Sequence, residues 1–298
     1  MSQRLNKAPT TAEFYNLSER CLNSGDNYWG NLGYWSHCRL KNSMTVSSLT
    51  EDDYTIACTA LAHKLAQAVE LHPGCSLLDI GFGCGDQLLL WLQHYQVAGV
   101  AGINYSHSQT ELAKLRLLQA GFPIAVNNVR QGSVAELSAA GQLATQDINR
   151  VLALDCAYHF PSRQQFFHDS YQHLTAHSNS NSNSSFLGLT DIVLATENLP
   201  RSRRWVLNIM LKLSRIPRSN IVTLQQYHKQ LQEVGFQQIT IEDISKDVFV
   251  PFGQWIKAFK HSIKNKKGAW LKYHVTASFL AWAHKKNVLR YVVVSAKV

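Results

Sequence analysis

Two clusters of residues in the sequence have types and spacings suited to chemistry. The first is the glycine-rich run 81–85, which follows Asp79 and is followed by Asp86. Glycines let the backbone turn sharply and let a ligand lie against the main chain. The second is the run 155–160, in which the imidazole of His159 could take a proton from a hydroxyl, an amine or a carbon acid. Together they indicate a nucleotide-like ligand and an acid–base group.

The residues around the glycines narrow the range of ligands that the loop could bind. A dinucleotide fingerprint reads Gly-x-Gly-x-x-Gly and places a pyrophosphate on the following helix N-terminus, but Asp86 stands at its last position. An anionic residue there favours an ammonium group or ribose hydroxyls over a pyrophosphate. Asn104 ends the next apolar run, where NAD-binding sheets place an acid for the ribose. The sequence therefore predicts a nucleoside ligand other than NAD.

The elements that must position these clusters alternate along the chain. Apolar residues at helical spacing predict a helix over 54–71, and Thr223 with Gln226 forms a capping box that begins a helix ending at Gly235. We expect an α/β protein with a parallel sheet, helices on both faces and the ligand at the carboxyl ends of the strands. The predicted strands are 76–80, 97–104, a short one at 125–129, 150–154, 186–195, 238–242 and 289–296, and further helices are predicted at 87–96, 108–120, 163–174 and 205–213, with two more after 242.

The net charge of +9 is unevenly distributed. Residues 201–298 carry 18 Lys and Arg against 4 Asp and Glu. An anionic substrate, an acidic membrane surface, nucleic acid or simply a solvated basic face could each explain this. No stretch approaches the roughly 18 apolar residues of a membrane span, and no apolar signal region follows the N-terminal charges, which predicts a cytoplasmic protein. The six cysteines form no Cys-x-x-Cys pair, which predicts free thiols.

Several segments resemble one known class of enzymes. Leu78–Gln87 resembles motif I of class I S-adenosylmethionine-dependent methyltransferases, and Gly102–Gln109 resembles a segment of their small-molecule branch. That branch includes tocopherol, sugar-alkaloid and phosphobase methyltransferases and the related cyclopropane synthases. Residues 131–134, 151–160 and 289–296 resemble the adenine-contacting loop, the fourth-strand motif and the closing strand. The resemblance, which runs from about residue 28 to the C-terminus, implies a Rossmann-like seven-stranded sheet with a helical acceptor cap.

The resemblance also implies a cofactor and the residues that bind it. S-adenosylmethionine would lie with its methionine part over Gly81, Gly83 and Gly85, its ribose at Asn104 and Gln109, and its adenine between Ser133 and Val134. Asp79 would orient the loop or meet the ammonium group through water. The segment 31–35 resembles a lid whose aromatic side chains face the sulfonium. The predicted cofactor-binding residues are Tyr28, Tyr34, Trp35, Asp79, Gly81, Phe82, Gly83, Gly85, Gln87, Asn104, Tyr105, Gln109, Ser133, Val134 and Asp155.

The prediction of the site for the methyl acceptor rests on fewer residues. His159 is predicted to act as a base or an orienting group, with a purely structural role as the alternative, and Tyr158 accompanies it. Cyclopropane synthases generally have Glu at the position of Tyr158, which argues against cyclopropanation. The chain also lacks the Pro-Pro-aromatic and Pro-Cys signatures of nucleic-acid methyltransferases. The apolar and arginine-rich insert 197–222 predicts a small amphipathic acceptor, lipid- or isoprenoid-like and with an anionic group, or peripheral contact with a membrane.

We therefore predict a single methyltransferase domain without a metal. Its parts would be an N-terminal lid (1–53), a cofactor-binding core (54–196), the cap insert (197–222) and the C-terminal part of the sheet (223–298). The Ser/Asn tract 177–185 is predicted to be a flexible surface loop. Two alternatives stay open, an RNA- or DNA-modifying methyltransferase and a catalytically silent cofactor-binding partner protein. The sequence does not define the acceptor or the oligomeric state.

Overall fold

The structure is a computed structural model that describes residues 22–36, 49–50, 52–137, 148–176, 184–259 and 267–298. For residues 267–270 it describes the backbone alone. Most of the predicted Ser/Asn loop and of the predicted N-terminal lid lies outside these ranges, as do Cys21 and Cys38. The other four cysteines are free thiols, as the sequence predicts.

A seven-stranded sheet forms the centre of the protein, with the strand order β3-β2-β1-β4-β5-β7-β6. Strands β1 to β5 pair in parallel, which confirms the predicted α/β class. The last strand, β7, runs antiparallel to both β5 and β6, so the sheet is mixed rather than parallel throughout. The strands are β1 Ser76–Ile80, β2 Gly99–Asn104, β3 Val129–Gln131, β4 Arg150–Leu154, β5 Phe186–Leu194, β6 Gln237–Asp243 and β7 Leu289–Lys297.

Nine α-helices connect these strands in the described parts of the chain. The predicted strand at 125–129 is wrong, because Pro123–Asn128 is a helix and only Val129–Gln131 pairs with β2. Pro123 has the backbone angle of a first helical residue, which favours a helix start there. The helices are α1 Asp52–Ala68, α2 Asp86–Gln93, α3 His107–Gln119, α4 Pro123–Asn128, α5 Arg163–Ala176, α6 Arg201–Leu213, α7 Leu224–Val234, α8 Ser245–Ala258 and α9 Lys267–Lys285.

The direction of β7 follows from the two helices that precede it. Strand β6 lies parallel to β5 and ends at the carboxyl edge of the sheet. Helices α8 and α9 pack against each other and carry the chain away and back. An even number of helices returns the chain to the edge that it left, so β7 begins there and runs antiparallel. A single crossover helix would have made β7 parallel.

The inner strands are buried on both faces, as a parallel sheet between two helix layers requires. On one face the core includes Trp91 and Phe249, and on the other Phe167 and Tyr227. Helix α7 begins with the predicted capping box, in which Thr223 accepts from the Gln226 amide and the Gln226 side chain accepts from the Thr223 amide. No helix in the described part of the chain is long and apolar enough to cross a membrane.

Candidate active site

A cavity of about 880 Å³ opens at the carboxyl edge of the sheet, where β1, β2 and β4 end. The segment 28–32 covers one side of it, and residues of α6, α8 and α9 form the other. Thirteen of the seventeen predicted site residues line this cavity, which brings both sequence clusters to one place. They are Tyr28, Gly81, Phe82, Gly83, Gln87, Asn104, Tyr105, Gln109, Ser133, Val134, Asp155, Tyr158 and His159.

The three glycines of the loop after β1 have left-handed backbone angles, but each has a different neighbour. A Cβ on Gly81 would lie 2.7 Å from the Cys156 sulfur, and one on Gly85 would lie 3.0 Å from the Ala113 Cβ. A Cβ on Gly83 would meet no atom within 4 Å. Because Gly83 lines the cavity, that open space is available to a ligand. Gly85 lies outside the lining and instead lets α2 approach α3.

Asp79 acts behind the glycine loop rather than in the cavity. Its fully buried carboxylate accepts hydrogen bonds from the Gln87 amide at 2.7 Å and from the Trp91 indole at 2.6 Å. Burial raises the pKa of this carboxyl to about 7. Gln87 lines the cavity and Asp79 does not, so Asp79 holds α2 and the loop in place.

Asp86 is already paired with a cation. Its carboxylate accepts two hydrogen bonds from the Arg116 guanidinium, at 2.7 and 2.9 Å, and one from the Tyr28 amide at 3.1 Å. Asp86 lines the cavity, as an acid expected near the ligand should, but its negative charge is balanced by Arg116. The partner lies 30 residues away in the sequence, on α3. Asp86 also ties the N-terminal segment to the start of α2.

Polar side chains at the end of β2 form the floor beside Gly83. The side-chain oxygen of Asn104 accepts from the Gly83 backbone amide at 3.3 Å, and the side-chain NH2 group of Asn104 donates to the Gln109 side-chain oxygen at 3.3 Å. Ser133 and Val134 continue this wall after β3. Amide donors and acceptors of this kind suit the hydroxyls of a ribose. The open space at Gly83 and this polar floor fit a nucleoside with an extended chain.

Asp155 connects three parts of the chain that are far apart in sequence. Its carboxylate accepts from the Leu32 amide at 2.7 Å, the Tyr158 hydroxyl at 2.9 Å and the Tyr291 hydroxyl at 2.6 Å. Its own backbone is left-handed, with φ at 56°. Burial raises the pKa of this carboxyl to about 7, although the three hydrogen bonds oppose the shift. Asp155 thus holds the N-terminal segment over the cavity.

Tyr34 and Trp35 lie outside the cavity, contrary to the predicted contact with the ligand. Trp35 is completely buried, donates from its indole to the Leu32 carbonyl at 2.9 Å and packs against Tyr54 and Trp255. Its amide also donates to the Asp247 carbonyl at 2.8 Å. Trp35 therefore anchors the segment 28–35 to the C-terminal third, because a buried indole packs best among other aromatic rings.

The cavity also contains residues that the sequence analysis did not single out. Trp29 and Tyr54 line it on the N-terminal side, and apolar residues of α8 and α9 line it on the acceptor side, beside Met210 and Leu213 of the predicted cap insert. The helical apolar spacing of the residues on α8 and α9 is also that of core residues, so the sequence carried no separate signal for them. They are Phe252 on α8, and Leu271, Tyr273 and Val275 on α9.

His159 lies in the single turn 157–159 after β4, with its ring 4.5 Å from that of Tyr158. Burial and the nearby Lys272 ammonium lower the pKa of His159 to about 4, although a hydrogen bond with the Arg215 backbone opposes the shift. A histidine normally titrates near neutrality, so its surroundings make His159 a weaker base than its residue type indicates. At neutral pH the imidazole is uncharged and can accept a proton or a hydrogen bond from a group in the cavity.

The fold and site define a class of protein. A glycine loop after the first strand, a polar cluster after the second and an antiparallel last strand are the arrangement of class I methyltransferases. The chain belongs to the mycolic acid cyclopropane synthetase family, whose model matches residues 40–281. It is an S-adenosylmethionine-dependent methyltransferase that acts on small molecules, as the sequence predicts.

Three similar proteins support the assignment. An erythromycin 3''-O-methyltransferase from Saccharopolyspora erythraea is 26% identical over 78% of this chain and 72% of its own length. A geranyl diphosphate C-methyltransferase from Streptomyces coelicolor superposes with a TM-score of 0.64 at 16% identity, over 97% of this chain and 98% of that one. A phosphoethanolamine N-methyltransferase from Haemonchus contortus gives a TM-score of 0.64 at 15% identity, over 80% of this chain and 52% of its own. The two structural matches show the shared fold, and this chain spans about half of the third protein.

The raised pKa values of Asp79 and Asp155 predict pH-dependent cofactor binding. In the ligand-free protein the folded state holds these protons more tightly than the unfolded state, so the free energy of unfolding falls as pH rises from about 4 to about 7. A cationic ligand favours the ionised carboxylates. We therefore expect S-adenosylmethionine to bind up to about tenfold more tightly at about pH 8 than at about pH 6, with release of a proton.

Isothermal calorimetry in buffers of different ionisation enthalpy measures both effects. S-adenosylhomocysteine, which lacks the sulfonium charge, should show the smaller pH dependence. An affinity for S-adenosylmethionine that stays constant over this pH range, without proton release, would contradict the raised pKa values.

Proposed function

We propose that this enzyme methylates a small amphipathic acceptor that lies between the glycine loop and the cap helices. The observation that carries the proposal is the two-sided lining of the cavity. Its floor at β1 and β2 carries polar groups, whereas most of its acceptor side is formed by Met210, Leu213, Phe252 and other apolar residues of α6, α8 and α9. An apolar wall of this kind suits a hydrocarbon body, and the cavity is within the usual size of small-molecule sites.

Each residue of the site has a separate task in this proposal. S-adenosylmethionine supplies the electrophilic methyl group. The loop with Gly83 and the side chains of Asn104 and Gln109 bind the cofactor, and Asp155 keeps the segment 28–32 closed over it, which excludes water. His159 accepts the proton, or a hydrogen bond, of the acceptor group under attack. Alignment of the acceptor with the methyl group contributes the remainder of the rate enhancement.

Arg215 and Lys272 lie beside His159 at the acceptor end of the cavity. Their positive charges support an anionic group on the acceptor, such as a phosphate or carboxylate. One similar protein was solved with geranyl diphosphate bound, and an isoprenoid diphosphate has both an apolar body and an anionic end. Tyr158 in place of the glutamate of cyclopropane synthases supports methyl transfer rather than ring formation. The cytoplasmic location stays a prediction from the sequence.

The basic C-terminal third does not favour a nucleic-acid substrate. The similar proteins described above methylate small molecules, erythromycin and geranyl diphosphate among them, which supports a small-molecule acceptor. A silent partner protein is also disfavoured, because the cofactor loop and the acceptor side form one continuous cavity.

Incubation with labelled S-adenosylmethionine and a panel of apolar acceptors, with and without phosphate or carboxylate groups, tests the proposal. Mass spectrometry should find the label on an amphipathic small molecule. A Met210→Trp variant, which fills the acceptor side, should lower turnover and leave cofactor affinity unchanged. Label on RNA, DNA or protein alone, or no transfer to any small molecule, would overturn the proposal.

Replacement of His159 by alanine should lower kcat about tenfold to a hundredfold, near or below the usual range for a general base because its pKa is low. The wild-type rate should be independent of this group above about pH 5, since it is already uncharged there. A His159→Gln variant keeps a hydrogen-bond acceptor and should recover activity if the ring only orients the acceptor. His168→Ala, at an exposed histidine outside the cavity, is the matched control. Wild-type turnover in His159→Ala would exclude both roles.

A further inference from the structure

The outward side of α6 presents apolar side chains to solvent. Trp205, Ile209 and Leu213 follow one another at four-residue spacing, which places them along one side of the helix. Their exposed fractions are 67%, 38% and 65%. Large apolar side chains that are exposed together mark an interaction surface rather than a solvated face.

This apolar side of α6 continues into the mouth of the cavity. Leu213 lies on this side of α6 and also lines the cavity. Leu271 and Val275 of α9 line the same cavity and are 56% and 41% exposed. Ile209 and Trp205 lie outside the lining, about one and two turns before Leu213 on α6. We call these five residues the mouth patch. Three of the five residues line the acceptor side of the cavity and are also exposed to solvent.

The chain around the mouth patch is basic and lacks acidic residues. Residues 198–232, which include α6, carry seven Lys and Arg and no Asp or Glu. Residues 248–298, which include α9, carry ten Lys and Arg and no Asp or Glu. On α6 itself, Arg201 precedes Trp205 by four residues and Lys212 follows Ile209 by three, so both cations flank the apolar residues on the same side.

We propose that the mouth patch docks on an anionic lipid surface. An amphipathic helix with Trp and Leu among Lys and Arg side chains lies in the interface of a bilayer, with the apolar groups below the headgroups and the cations beside them. Each Lys or Arg near an anionic surface adds to the attraction. A second copy of this chain does not fit, because pairing the patch with itself would bring two strongly basic faces together.

Docking in this orientation turns the cavity mouth towards the lipid. An apolar acceptor would then enter between α6 and α9 directly from the bilayer and avoid water, while the cofactor side stays towards the solvent. The inference rests on the proposed amphipathic acceptor, because a fully polar acceptor would have no need of this route. In this inference the lipid bilayer is the partner that delivers the acceptor.

Co-sedimentation of the full chain with vesicles tests the docking independently of catalysis. The protein should bind vesicles of phosphatidylcholine with phosphatidylglycerol, bind phosphatidylcholine alone at least about tenfold more weakly, and be released by salt. The double variant Trp205→Glu/Ile209→Glu should lose at least about tenfold in affinity for the anionic vesicles. Its methyl transfer to a water-soluble acceptor should be unchanged, because neither residue lines the cavity.

The matched control is Leu118→Glu/Ile124→Glu, at residues that are 58% and 73% exposed on α3 and α4 near the opposite edge of the sheet. It adds the same charge and should bind vesicles like the wild type. Equal losses in the two double variants, or absence of wild-type binding to anionic vesicles, would overturn the proposal. So would a dimer in solution that Trp205→Glu dissociates. Failure to find any methylated acceptor would instead count against the proposed function and leave the vesicle result standing.

Discussion

Replacement of Asp155 by alanine is expected to weaken S-adenosylmethionine binding at least about a hundredfold and to lower the free energy of unfolding by about 3 kcal/mol or more. The carboxylate accepts hydrogen bonds from Leu32, Tyr158 and Tyr291. Alanine leaves the Leu32 amide and the Tyr158 hydroxyl without this acceptor, at about 1 to 3 kcal/mol each, whereas the Tyr291 hydroxyl keeps the Thr190 hydroxyl at 3.2 Å. It also releases the segment that covers the cavity.

Calorimetry of cofactor binding and denaturant unfolding measure the two effects of this replacement. Asp155→Asn keeps an acceptor oxygen, so it should retain more stability than the alanine variant but lose much of the pH dependence of binding. Asp243→Ala, at a partly exposed acid on β6 outside the cavity, is the control and should bind the cofactor like the wild type. Cofactor affinity within about twofold of the wild type in Asp155→Ala would refute the proposed function of this carboxylate.

Replacement of Gly83 by alanine should weaken cofactor binding at least about tenfold and destabilise the ligand-free protein only by the backbone strain. The added Cβ meets no protein atom within 4 Å, but it projects into space beside the cavity floor. The backbone φ of residue Gly83 is 58°, which is strained for alanine at a cost of about 1 to 2 kcal/mol.

Gly121→Ala separates the strain from the contact with the ligand. Gly121 has a φ of 85°, its Cβ would also meet no atom within 4 Å, and it lies outside the cavity. Both variants should lose similar melting temperature, whereas only Gly83→Ala should lose cofactor affinity. An equal change of affinity in the two variants would show that the loop at Gly83 does not contact the cofactor.

Local signals in the sequence predicted most of the architecture. The bounds of the strands 76–80 and 150–154 agree with the structure, because short apolar runs between turn residues define their own ends. The capping box at Thr223 is equally local. The antiparallel direction of β7 is not local, since it depends on how α8 and α9 return the chain, and an apolar run reads the same in both directions.

The distinction between local and distant signals also applies to the candidate active site. The rule that ligands bind at the carboxyl ends of parallel strands brought Gly83, Asn104 and His159 to one cavity. The burial of Trp35 and the pairing of Asp86 with Arg116 depend on partners that are distant in sequence. The low pKa of His159 likewise comes from its burial and from Lys272, which is over a hundred residues away. Residue type alone could not predict these contacts.

The segment that covers the cavity is synthesised well before the residues that hold it in place. Leu32 and Trp35 hydrogen-bond with Asp155 and Asp247, and Asp155 in turn needs Tyr291 on the last strand. Contacts between such distant parts of a chain form slowly during folding. The nascent protein can therefore assemble its glycine loop early, but it gains a closed cofactor site only after Tyr291 has emerged.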